Sequence, residues 1–445
     1  MAQAAVQTFR PDAATVREEA LPWLTPAQAL ANDGAPAWIC ALRETGAASF
    51  ATTGMPTPAW EGWQYTNLRP MTPEAFRFDV PESDVTAADL PALLLGDSHR
   101  IVLVNGRLRP DLGTALPDGV KLLLLMDAAE PEEELVTVGN LAASPLLALN
   151  CAYMRDGFIL DIAPHRDIAR PVEILFMAAG DAPAVYPRVL YRFGENSGAT
   201  LLERHAGAGP SLTNLYAGIV LKQAARGRYY RFIDENDAAL HVSQTVVRSH
   251  KSSDFQGFSS VSGLATGRQA FGLELLDDGI SSSIGGIYML KGRQCHDFTI
   301  LADHFEEDGT SVQHFKGVID DQARAIFQGK IHVHRPAQKT DGYQSHHALL
   351  LSDQAEASAK PELEIYADDV KCSHGATAGM LDNDALFYLQ SRGIPAAEAK
   401  ALLIRSFLCE TLEKITRDDV RALYAARIAE WLGAEVDAAE TAGTR

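Results

Sequence analysis

Between residues 96 and 375 the sequence predicts a mainly β protein, with helices before and after it. Short β-branched runs recur there: RIVLVNG, VKLLLLM, VEILFMA, ATLLERHA, AGIVLK, HVSQTVV and RAIFQGKIHVH. Gly, Asp, Asn and Ser turns separate them, and almost no 3.6-residue period intervenes. Strand after strand without helices excludes a doubly wound α/β sheet and leaves a sandwich, a barrel or a solenoid. A Phe-x-Gly pattern at Phe255/Gly257, Phe315/Gly317 and Phe327/Gly329 favours the solenoid. At about Leu381 the apolar period changes to that of a helix.

The elements follow in chain order. Residues 1–95 read as mostly helical. Thr25 before Pro26 suggests an N-cap with proline at the first helical position, continued by PAQALA. A second short helix is expected over AWICALRET (37–45). Trp60, Trp63 and Tyr65 read as a group that docks this region on the body, because such rings bury large areas and leave a polar tip wet. The β region spans 96–375. In the helical region, 376–445, Asp382 suits an N-cap for DNDALFYLQSR, Gly393 the left-handed C-terminal position, and Pro395 the next start. Thr416 with Asp419 resembles a capping box. The last helix sets Val420, Leu423, Tyr424, Ile428, Trp431 and Leu432 on one face. The tail EVDAAETAGTR is expected to fray.

Composition narrows the function. The chain has 445 residues, 47% of them hydrophobic, enough for a large core. Its formal charge of −19 argues against a nucleic-acid groove or an anionic membrane surface. No run approaches a membrane span, and the N-terminal stretch has no signal-peptide core. Five scattered cysteines (40, 151, 295, 372 and 409), with no CxxC pair, read as reduced thiols in a cytoplasm. No phosphate loop and no GxGxxG fingerprint occurs, so no ATP site is expected in this chain.

KPELEIYADDVKCSHGAT (360–377) is the stretch richest in chemistry. Leu363 and Ile365 alternate with Glu362, Glu364, Tyr366 and Asp368, as a half-buried strand requires. Cys372 and His374 follow two positions apart, where the β region gives way to helices. A small buried thiol beside a hydrogen-bonded imidazole is the ordinary reading. Metal binding would need further ligands, because two hold iron poorly.

This string resembles the signature of the SufB/SufD family of iron–sulfur cluster assembly scaffolds. The likeness extends back through GKIHVHRPAQKTDGYQSHHALLLSDQAEASAKPELEIYADD (329–369) and forward through GMLDNDALFYLQSRGIPAAEAKALLIRSFLCETL (379–412). WEGWQYTNL (60–68) also resembles a segment near the start of such proteins. The resemblance implies a right-handed parallel β-helix core with helical N- and C-terminal domains. It implies a SufB-like partner across the last coils and a SufC-like ABC ATPase on the C-terminal helices, segment 382–432. By the same resemblance, His374 and Cys372 become candidate ligands of iron or a nascent cluster, shared transiently with SufB. No tightly bound cofactor is implied. The SufB branch would carry an N-terminal cysteine cluster and an acidic motif in place of KCSH; neither is present, which favours the SufD branch. The exposed last coil makes a homodimer plausible when the chain is alone.

Other groups weigh less. His332 and His334 point the same way on a strand and could share a metal, although exposed coil faces are the ordinary case. Relatives more usually show other residues at His346 and His347. Adjacent Cys295 and His296 face opposite sides and make a poor chelate. Asp320/Asp321, Asp368/Asp369 and Glu362/Glu364 could be the acid pairs of a β-helix polysaccharide lyase or hydrolase. Such an enzyme wants a stripe of exposed aromatics, and only 8% of residues are aromatic. Lys339, Thr340 and Asp341 read as turn formers. The alternatives to a non-catalytic SufD-like scaffold are thus a SufB-like scaffold, a purely structural partner without ligands and, remotely, that β-helix enzyme.

Overall fold

Period-two alternation in each apolar run builds the architecture, because every run has one face that must be enclosed. The computed structural model describes residues 13–27, 34–68, 71–79, 83–128, 144–155 and 157–433. From Gly198 onward the chain alternates between two sheets. One takes Gly198–Gly207, Arg226–Glu235, Asp254–Ser262, Ser281–Leu290, Thr310–Ile319, Asp341–Leu350 and Lys371–Met380. The other takes Leu212–Leu221, Leu240–Ser249, Thr266–Leu275, Cys295–His304, Arg324–Val333 and Glu356–Ile365. Neighbours within each sheet are parallel and in register, one coil apart. The fold is a parallel β-helix with a repeat of roughly 30 residues, as expected for a solenoid.

The inward faces form one continuous core running from Ile101 to Ala367. The Phe-x-Gly pattern has a physical cause there. Residues i and i+2 share the inward face, so each pair sets a ring beside a gap that a neighbour fills. A Cβ on Gly317 would lie 1.7 Å from the Tyr288 ring, and one on Gly329 1.5 Å from the Gln344 amide. The corners turn through left-handed residues, among them Asn196, Asp308 and Asp321. Asn and Asp tolerate that conformation better than other L-residues.

Helices cover the outward faces. Helix α1 is Ala13–Leu24, α2 Ala37–Thr53 and α3 Pro145–Ala152. Ile39 and Leu42 of α2, with Leu147 and Cys151 of α3, pack on Leu190, Tyr216 and Val220. Trp60 and Trp63 are buried, and the Arg268 guanidinium lies 4.0 Å over the Trp63 ring. Tyr65, grouped with them in the sequence, stands exposed. At the other end come α4, Asn383–Ser391; α5, Ala396–Leu412; and α6, Asp418–Trp431. Leu408, Val420, Tyr424 and Ile428 pack on Tyr230, Phe232, Phe258 and Ile287, the outward face of the first sheet.

Several local expectations need correction. Thr25 does not open a helix: its N–H and hydroxyl both donate to Leu21 O, closing the last turn of α1. Most of PAQALA lies outside the described residues, as does the tail from 434. The region 96–375 contains α3, which is buried on every side and so shows no amphipathic period. Thr416 forms no capping box. Its hydroxyl reaches Gln256, and Asp419 pairs with Arg417 instead. By contrast, Asp382 caps α4 through the N–H groups of Asp384 and Ala385, and Gly393 has φ +90°.

The open end of the solenoid as candidate functional site

The core's column of inward residues reaches the last coil and stops there. Cys372 pairs in register with Gly342, and His374 with Gln344. Gly342 and Gln344 face inward, so Cys372 and His374 continue the interior face onto the terminal strand. Cys372 is half-buried against the end of the core, and burial pushes its thiol up from the ordinary value. It is therefore not an activated thiolate in the free chain. His374 is exposed because no further coil covers it. Beneath it lies Gln344, fully buried, with neither amide atom hydrogen-bonded within the protein. Gln313, its register partner one coil further in, leaves its Oε1 equally unpaired.

Glu356–Ile365 and Lys371–Met380 are the end strands of their sheets, each with one unpaired edge. The alternation read over 362–368 holds for Leu363, which packs on the core. Ile365 is exposed, since the coil that would cover it does not exist. Tyr343, Tyr366 and Met380 are exposed on the last coils, and Phe387 and Tyr388 on α4 just beyond. Helix α4 buries none of its own residues. An apolar, unpaired end of this kind is what protein interfaces cover.

Among the described residues, groups of three potential ligand atoms form at His205–Glu235–His241 and at Asp303–His332–His334. Neither includes Cys372 or His374. Cys295 and His296 do diverge. Burial raises the Cys295 thiol to about 11 and lowers the His296 ring, enclosed in the core, to about 3. His346 is also interior, stacked on Phe327 and 2.6 Å from the Tyr288 hydroxyl. Lys339 turns at positive φ and pairs with Glu307, while the Thr340 hydroxyl donates to Ala337 O. Glu364 is held low by hydrogen bonds from Lys330 and Tyr366.

Sequence reasoning missed a charged layer inside the solenoid. Glu203, with no exposed side-chain surface, accepts from Arg231 Nε at 2.8 Å and from the Tyr191 hydroxyl at 3.0 Å, with His205 Nε2 at 2.8 Å. Arg231 donates its remaining N–H groups to Ser243, Gln269, Tyr229 and Thr245. Beside them Glu235 meets His241 at 2.6 Å and accepts from Thr213. The signal was slight: Glu203 and Arg231 occupy inward positions of apolar strands whose partners lie a coil away.

The family described as "SUF system FeS cluster assembly, SufBD core domain" matches residues 176–407, and "SufBD protein N-terminal region" matches 23–174. The chain is 30% identical to an iron–sulfur cluster assembly SufBD family protein of Synechocystis, over 84% of this chain and 86% of that one. It is 30% identical to the iron–sulfur cluster assembly protein SufD of Escherichia coli, over 85% and 90% of the two chains. The SufD of Bacillus subtilis is 25% identical over 87% and 92%. With both regions matched in order and relatives aligned almost end to end, the chain belongs to the SufBD family of iron–sulfur cluster assembly proteins.

Proposed function

We propose that this chain is a non-catalytic, SufD-like scaffold subunit that assembles iron–sulfur clusters together with a SufB-like chain and a SufC-like ABC ATPase in the cytoplasm. The observation that carries the reading is the uncovered last coil, where the interior column ends in half-buried Cys372 and exposed His374 beside an apolar rim. A SufB-like coil stacked there would cover Ile365, Tyr366 and Met380 and pair both strand edges. It would also supply the ligands that Cys372 and His374 lack for iron. An incomplete site suits cargo, because it holds iron or sulfide without trapping it. Alone, the same edges would favour a homodimer.

On this reading the chain divides into a helical region (1–95), a β-helix (96–375) and a C-terminal helical domain (376–445) that docks the ATPase. Phe387 and Tyr388 of α4 favour that docking role, being large and exposed. ATP-driven pairing of two ATPase subunits would then shift the seam between scaffolds and alter access to His374.

His374→Ala in the co-purified complex tests the ligand role. The exposed ring supports no packing, so assembly and mass should be unchanged while retained iron falls severalfold. Undiminished iron and sulfide in an intact complex would leave only a structural partner.

A further inference from the structure

We propose that Asp303, His332 and His334 form a binding site for a divalent first-row transition ion on the outer flank of the solenoid, independent of Cys372 and His374. Ile331 and Val333 point into the core, so His332 and His334 emerge side by side from the same face. Asp303 is the register partner of His332 on the neighbouring strand, and it is outward because Ala302 and His304 point inward. The backbone N–H of His334 donates to His304 O, so the strand ladder continues through the second imidazole. Phe305 stacks on the His334 ring at 4.4 Å, and Tyr366 meets the His332 ring edge-on at 5.7 Å. Both rings are thereby fixed in orientation.

The contact geometry is that of ligands. His332 Nδ1 and His334 Nε2 each lie 2.9 Å from the same oxygen, Asp303 Oδ1. That oxygen and His334 Nε2 are shielded from solvent and contact each other in a geometry that closes no hydrogen bond. A carboxylate oxygen and a ring nitrogen held together without a hydrogen bond present lone pairs that an ion between them would satisfy. Two imidazoles and one carboxylate with open positions suit zinc, cobalt or ferrous ions rather than calcium or magnesium. Ligand bonds of about 2.0–2.2 Å put tetrahedral ligand atoms about 3.4 Å apart, so the two imidazole–carboxylate contacts need open by only about half an ångström. His332 is flanked on the next coil by Glu364, whose carboxylate is occupied by Lys330 and Tyr366. The remaining coordination positions are left to water or a small ligand.

The test is titration of the full chain, stripped with a chelator, with Co²⁺ alone, followed by visible absorption and equilibrium dialysis. One equivalent with the absorption of imidazole-bound tetrahedral or five-coordinate cobalt is expected. His332→Asn and His334→Asn should each weaken it by more than the roughly 10–100-fold typical of changes behind a ligand. His374→Ala should leave it unchanged. If either His variant fails to fold, Asp303→Asn, which removes charge at nearly constant shape, must show the same loss. Absence of stoichiometric binding, survival of binding in the His332→Asn/His334→Asn double variant, or its loss with His374→Ala would overturn the site. None of these outcomes bears on whether the open end pairs with a SufB-like chain.

Discussion

Replacing Glu203 by Gln is expected to destabilise the protein by about 3–5 kcal/mol, the cost of leaving a fully buried partner charge uncompensated. Arg231 has no exposed surface, and its four other donors are already engaged, so its charge has nowhere else to turn. The loss should appear as a lower urea midpoint at neutral pH. A Glu203→Leu/Arg231→Met double variant should be less impaired than the single one, because it removes both desolvated charges together. The pH dependence has a definite sign. Burial alone would raise the Glu203 carboxyl, but the Arg231 guanidinium and the His205 ring outweigh it and hold it well below its ordinary 4.5. The folded state therefore binds this proton less readily than the unfolded state. Its contribution is fully present above about 4.5 and is lost as the pH falls toward the depressed folded value. The stability gap between wild type and Glu203→Gln should shrink across that acid range. A midpoint unchanged by Glu203→Gln would mean that the layer is not what holds these coils together.

Tyr424→Ala is expected to cost about 3–5 kcal/mol as well, and its effect should centre on α6. The ring is fully buried, stacked at 4.4 Å on Phe232 and tilted at 4.7 Å against Phe258. Its hydroxyl donates toward Phe258 O at 3.1 Å and Arg231 O at 3.3 Å, fastening the helix to the sheet backbone. Truncation leaves a cavity that neither a helix nor a hydrogen-bonded strand can close cheaply. Hydrogen exchange should report faster opening of α6 than of the coils beneath it. Tyr424→Phe keeps the packing and should lose only about 1 kcal/mol. If the two variants behaved alike, the hydroxyl rather than the ring would be the fastening. The same geometry warns against deleting the C-terminal helices to test docking, since that would bare Tyr230, Phe232 and Ile287.

How much of this was legible in the sequence depends on how local each cause is. Phe315/Gly317 and Phe327/Gly329 announced inward positions because ring and gap lie two residues apart. Asp382 and Gly393 were readable because a cap is decided within one turn. Thr25 and Thr416 misled for the complementary reason: each hydroxyl had a competing partner, Leu21 O in one case and distant Gln256 in the other. Helix α3 was hidden because a helix buried all round carries no period. Register set the rest. The shared direction of His332 and His334 follows from alternation, whereas Asp303 joins them only through a strand a coil earlier. Likewise Cys372 and His374 were visible as a motif, but not that Gln344 lies unpaired beneath His374.

The central claim is that the uncovered end and the C-terminal helices are surfaces for two different partners. Its most direct test is anaerobic co-expression with a SufB-like chain and an ABC-type ATPase, followed by mass measurement of the purified assembly. A stable complex of all three chains is the result predicted here. Recovery of this chain alone, or paired only with itself while both partners are present, would contradict it.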